Sequence, residues 1–112
     1  MIELECKGLP FYSSQDEASF FSWAESISAV LSVSGKGGSI ILMLKSKSIS
    51  DRSLRELIGL FRRYRISMRQ LAQFRTEKNQ HWFSDPTAFW FSTTFRPTGR
   101  STRSRAKTRA PG

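Results

Sequence analysis

SDRSLRELIGLFRRYRISMRQLAQFRTEKNQHWF, residues 50–83, decides the fold. Leu54, Leu57, Ile58, Phe61 and Tyr64 recur at the spacing that lines one face of a helix, which the pattern predicts over residues 51–64. Turned through about 100° per residue, Arg52, Arg55, Arg62 and Arg63 share the opposite arc, with Gly59 among them. Ser50 followed by Asp51 supplies a cap and a negative charge for the helix start. Arg65-Ile66 then interrupts the pattern. Ser67-Met68-Arg69-Gln70 matches the Ser-x-x-Gln capping box, so a second helix is expected from Met68 to Phe83. Two helices joined this tightly fold back on each other as an αα-hairpin or a helix-turn-helix. Arg75 sits in the middle of the arc shared by Met68, Leu71, Ala72, Trp82 and Phe83. Either the second helix ends near it, or its stem packs and its head finds an acid or solvent.

Before this stretch, residues 1–7 alternate, with Ile2, Leu4 and Cys6 on one side and Glu3, Glu5 and Lys7 on the other, as in a half-buried strand. Gly8-Leu9-Pro10 ends it. Ser14-Gln15-Asp16-Glu17 reads as a capping box, and Phe20, Phe21, Ala24 and Ile27 form a helical apolar face. Residues 29–34 alternate again. Gly35-Lys36-Gly37-Gly38 allows the positive φ angles of a tight hairpin turn. The return strand, residues 39–45, is apolar on both faces through Ile40, Ile41, Leu42, Met43 and Leu44, the mark of a central strand. The sheet order is then first, third, second, with the first and second strands parallel and an antiparallel third between them. The fold class is α/β (α+β): a small three-stranded mixed sheet in the order β-α-β-β-α-α, with a helical pair and an aromatic C-terminal segment.

Beyond the pair, Ser84-Asp85-Pro86 has the form of a helix start with proline at its first position. Residues 88–95 are rich in aromatic and β-branched side chains, which favours a strand; the reading leans to helix. Phe89, Trp90, Phe91 and Phe95 are expected to pack over the core. From Arg96 on nothing apolar recurs. The chain divides into a single domain, residues 1–95, and a disordered basic tail, residues 96–112.

The net charge of +9 is unevenly placed. The tail accounts for +6 and the body for +3, while within the body residues 1–44 carry −3 and residues 45–78 carry +7. The body is a charge dipole whose positive end is the helical pair. One cysteine excludes an intramolecular disulfide and suits a reducing compartment. The acidic, alternating start is unlike a secretory signal, and no apolar run approaches the ~18 residues of a membrane span. A cytoplasmic protein without membrane contact is expected.

No catalytic constellation emerges, so the chain reads as a non-enzyme without cofactor or metal. His81 stands alone beside Trp82 and has no cysteine or second histidine to share a metal. Cys6 lies on the apolar face of its strand, where an inert buried thiol is expected. Glu3 and Glu5 share an exposed strand face, and Asp16 and Glu17 occupy a helix's first turn, where negative charge belongs. Gly35-Lys36-Gly37-Gly38 lacks the spacing of a phosphate-binding loop.

The basic residues are the remaining candidates. Arg52, Arg55, Arg62, Arg63, Arg65 and Arg69 form a possible surface for nucleic acid or a partner; on nucleic acid they would neutralise phosphates and make binding salt-dependent. In a helix-turn-helix, Arg69, Gln70 and Gln73 would stand where base or phosphate contacts are made. Arg65 occupies the place where that turn usually has glycine. A solvated basic face is the plainer reading.

Several stretches carry a resemblance: Ile2-Glu3-Leu4-x-Cys6-Lys7, Phe11-Tyr12-Ser13 with Asp16-Glu17, Phe20-Phe21-x-Trp23, Leu54-Arg55-Glu56-Leu57-Ile58, and Gln70-Leu71-Ala72-Gln73-Phe74 before Trp82-Phe83. Through them residues 1–95 resemble small bacterial cytoplasmic α/β proteins, some of which look like immunity proteins that neutralise a toxin. The resemblance implies a function in binding another protein, a cognate toxin, and assigns no site residue. The alternative is a nucleic-acid-binding regulator using Arg62, Arg63, Arg65 and Arg69.

Overall fold

The computed structural model describes residues 1–96; apart from Arg96, the segment expected to be a disordered tail lies outside the described residues. Strand β1, Ile2–Lys7, buries Leu4 and Cys6 and exposes Glu3, Glu5 and Lys7, as its alternation requires. It pairs antiparallel with β3, Ser39–Leu44, in a register that sets Leu4 opposite Leu42 and Cys6 opposite Ile40. Strand β2, Val30–Lys36, pairs antiparallel with the other edge of β3 and sets Val33 opposite Leu42. The order is β1-β3-β2. Both hydrogen-bonded pairs are antiparallel, so the sheet is antiparallel and not mixed as expected: β1 and β2 run in the same direction but lie on opposite edges of β3 and do not pair. Gly37 and Gly38 have φ of 47° and 72°, the double positive of a two-residue hairpin turn whose twist matches the strands. A bulge between Val30 and Ser32 turns Leu31 outward, 54% exposed. The apolar run of β3 reflects its central place in the pairing. Its second face is not buried, for Ile41 and Met43 stay half-exposed opposite Glu5 and Glu3.

Helix α1, Ser14–Ser26, lays Phe20 and Ala24 into the core. Its cap is Ser13, one residue before the expected Ser14: the Ser13 hydroxyl accepts from the Asp16 N–H, and the Asp16 carboxylate accepts from the Tyr12 N–H. Helix α2, Asp51–Arg63, is capped by Ser50 as expected and buries Leu54, Leu57, Ile58, Leu60 and Phe61. At about 1.5–3 kcal/mol for each large side chain removed from water, this stripe is a main source of stability. Gly59 faces α1, where a Cβ would meet the Trp23 ring at 3.4 Å, an ordinary van der Waals contact. The Trp23 indole N–H donates to Glu56 at 2.9 Å on the same flank.

The helix expected from Met68 to Phe83 is not continuous. Met68–Phe74 is a 3₁₀ helix, and Ser67 makes no side-chain cap. Gln70, the other half of the supposed capping box, is drawn instead to the free edge of β1. Its Oε1 accepts from the Glu5 N–H at 2.7 Å and its Nε2 donates to the Glu5 carbonyl at 2.9 Å. A side-chain amide thus pairs with the edge strand as another strand would. The chain then breaks at Arg75, whose ψ of 131° is extended; of the two readings of that residue, the helix end holds. Buried Asn79 closes the turn that follows, with its Oδ1 accepting from the Thr76 N–H at 2.8 Å and its Nδ2 donating to the Phe74 carbonyl at 2.9 Å.

Helix α3, Gln80–Phe83, leaves His81 exposed and buries Phe83. Asp85 caps a turn through Thr87 and not a helix; the last helix, α4, begins later and spans Phe91–Phe95. Within the segment whose composition also suggested strand, only residues 91–95 are helical, and the residues before them are turns. Trp90 and Phe95 pack on the core, but two of the four aromatics depart from the expected packing: Phe89 is 59% exposed, and half-buried Phe91 lies outside the core, against Phe95.

Candidate anion-binding cleft

The site is built where α2 stops. The Ile66 N–H donates to the Phe61 carbonyl at 2.9 Å and the Arg65 N–H to the Arg62 carbonyl at 3.3 Å, the paired bonds of a Schellman ending, and Phe61 and Ile66 supply its buried apolar contact. That ending requires a left-handed residue, normally glycine. Arg65 takes the position, with φ of 58°, and is the one non-glycine residue with positive φ among those described.

The reversal gathers the arginines that flank it. Arg62, Arg63, Arg65 and Arg69 line a cleft of about 940 Å³, joined by Arg96. Phe61, Ile66 and Met68 form its apolar floor, and Ser67, Ser92 and Thr93 the rest of its wall. Among the described residues no carboxylate lines it. Arg69 donates from Nη1 to the Arg96 carbonyl, which ties the 3₁₀ helix to the end of α4. Like charges gathered without a counter-charge repel, by about 1 kcal/mol for two charges 4 Å apart in water. Bound anions would turn that repulsion into paired, charge-assisted hydrogen bonds.

Arg63 and Arg65 also border a second hollow of about 350 Å³, with Tyr12, Asp16 and Tyr64. The Tyr64 hydroxyl donates to Asp16 at 3.2 Å. Burial and the adjacent Asp16 carboxylate raise its pKa, against a lowering by Arg63, so the phenol stays a neutral donor. On the other flank the Arg62 guanidinium lies 5.8 Å from the Phe89 ring.

Of the six candidate arginines, four converge here. Arg52 stands at the opposite end of α2, about 15 Å along the axis from Arg62 at 1.5 Å per residue. Arg55 is held over the Trp82 ring, 3.9 Å from its centroid. The helix-turn-helix arrangement is not formed, because its second helix is a seven-residue 3₁₀ segment and Gln70, a supposed base contact, is committed to β1. Cys6 is buried, and its thiol pKa is pushed up to about 12 by that burial, helped by the neighbouring Glu5 charge. Sequence reasoning missed Arg96, placed in the tail, and the exposed aromatics Tyr12 and Phe89. Arg96 carried a usable signal in following directly on the last aromatic segment, whereas Tyr12 lies in a loop where periodicity says nothing. No family model, curated protein or solved structure matches the chain.

Proposed function

We propose that this protein works by binding another protein without doing chemistry, as an immunity protein that neutralises a toxin in the bacterial cytoplasm. The observation that carries the reading is the cluster of five arginines around a cleft that no carboxylate lines among the described residues. A surface of that kind gains most from an acidic partner and repels a basic one, so the toxin face it covers carries acidic groups. The test is protection: cells producing the toxin encoded beside this gene survive when the protein is co-produced, and the purified pair forms a complex. Death of the co-producing cells sinks the reading.

A second reading, nucleic-acid binding, is favoured by one observation, that Arg62, Arg63, Arg65 and Arg69 do share one site. Without a recognition helix, such binding would rest on phosphate contacts and fall steeply with salt. Fluorescence anisotropy of labelled duplex DNA and RNA across a salt series checks it, and a sequence preference that survives physiological salt would establish it.

A further inference from the structure

We infer that the cleft takes an acidic, extended segment of the partner protein, whose carboxylates pair with Arg62, Arg63, Arg65 and Arg69 while one aliphatic side chain seats on the floor. This deepens the protein-binding reading and rests on it. Three features select that occupant. The guanidinium groups present planar forks that match carboxylates two bonds at a time. The floor is apolar, and of Phe61, Ile66 and Met68 only the last two reach its surface, at 5% and 6% exposure, which suits the tip of one aliphatic side chain; the cleft's own lining gives a nucleobase no exposed aromatic ring, since Tyr12 and Phe89 stand outside it. Finally, of the four exposed large apolar residues among those described, Met1, Tyr12, Leu31 and Phe89, two frame the cluster. Tyr12 lines the adjoining hollow with Arg63 and Arg65, and Phe89 lies by Arg62. Tyrosine and arginine are the residue types that dominate protein interface energetics.

The conformation of Arg65 points the same way. A bulky residue held left-handed at an exposed turn, where glycine would fit freely, is strain of the kind that functional sites retain. Asp16 keeps its charge but borders the adjoining hollow and not the larger cleft, and there its oxygens accept from Tyr64 and from the Tyr12 N–H. Acidic residues of the partner are therefore directed to the larger cleft, and Tyr12 meets apolar surface at its edge.

The experiment uses the full chain and three fluorescein-labelled probes in anisotropy titrations near physiological salt: an alternating Glu/Asp peptide with one central leucine, the same peptide with serine there, and a uridine oligonucleotide of equal charge. The leucine peptide is expected to bind tightest. Arg65→Glu and Arg69→Glu should each weaken it by roughly tenfold or more, and Arg52→Glu, the same charge change at the far end of α2, by less than about twofold. Thermal melts establish that each variant is folded, and Arg65→Glu suffices if Arg69→Glu, which loses its bond to Arg96, is not. Equal losses from Arg52→Glu and Arg65→Glu, tighter binding of the oligonucleotide, indifference to the leucine, or no peptide binding would each overturn the inference. An Arg65→Glu protein that still protects cells from the toxin overturns the inference and leaves the function standing, whereas failure of the unaltered protein to protect removes the function itself.

Discussion

Arg65→Gly should make this protein more stable while weakening its cleft. A side chain in the left-handed region costs about 1–2 kcal/mol, which glycine does not incur. Against this, glycine enlarges the conformational freedom of the unfolded chain, a loss of about 0.4–1 kcal/mol. The net gain is about 0.5–1 kcal/mol, before counting relief from removing one of five neighbouring like charges. At about 4–8 °C per kcal/mol for a domain of this size, the melting temperature should rise by about 2–8 °C. Arg65→Ala is the companion variant. It removes the same charge and the same contacts but keeps a Cβ at φ of 58°, so the difference between the two isolates the backbone. Urea denaturation with a common slope and calorimetric melts give both numbers. If glycine proves no more stable than alanine, Arg65 is not held left-handed, and the assignment of strain to this turn is wrong. If glycine also binds anions as tightly as arginine, the strain has no connection with the cleft.

Gln70→Ala should cost about 0.5–1.5 kcal/mol for each of the two bonds lost, by urea denaturation, because the exposed Glu5 N–H and carbonyl then turn to water; freeing that edge of β1 should also speed aggregation, read by light scattering. Asn79→Ala should be at least as costly, since the buried amide closes the 76–79 turn with two bonds to backbone, and native-state hydrogen exchange should show the Thr76 N–H losing protection. Gly59→Ala should stabilise by about 0.5–1 kcal/mol in thermal melts through helix propensity, since its methyl would meet Trp23 at 3.4 Å, while Gly59→Leu should destabilise by forcing α1 away. The Cys6 thiol, with its folded pKa raised to about 12 from 9.0, should resist alkylation at pH 8 until the protein unfolds. Its linkage has a definite sign: above pH 9 the unfolded chain loses the thiol proton and the folded one keeps it, so stability falls from there toward pH 12. Cys6→Ala should flatten that limb of the stability–pH curve.

The sheet was legible because its signals are local and one-dimensional. Alternation in residues 1–7, two glycines at a hairpin turn and a doubly apolar third strand leave one pairing order open, and it forms. The stripe on α2 was legible for the same reason, because five apolar residues at helical spacing outweigh the single Gly59. The second helix was misread because the competing demand on Gln70 comes from Glu5, sixty-five residues away in the chain. A capping box and an edge-strand partner are indistinguishable until the edge is in place. Arg75 marked the place but not the outcome, since a charge in the middle of an apolar arc is accommodated either by ending the helix or by packing its stem and freeing its head. The site was half legible. Charge division along the chain located the positive end but could not separate Arg62 and Arg63, which turn into the cleft, from Arg55, which Trp82 captures.

The arginines of the cleft do not all need the same explanation. Arg62 and Arg63 fall in the last turn of α2, where a positive charge offsets the helix dipole and contributes about 0.3–1 kcal/mol without any ligand. Fold stability alone accounts for them. Arg65 and Arg69 lie beyond that turn and gain little from the dipole, which fades within it. Arg65 adopts a backbone conformation that opposes its own side chain, while Arg69 reaches across to a carbonyl that any hydrogen-bond donor would satisfy. Neither choice of residue follows from the fold, yet both bring a guanidinium to the same carboxylate-free cleft. The functional weight of the cluster therefore falls on Arg65 and Arg69. Charge reversal at these two should separate binding from stability, whereas reversal at Arg62 or Arg63 should diminish both together.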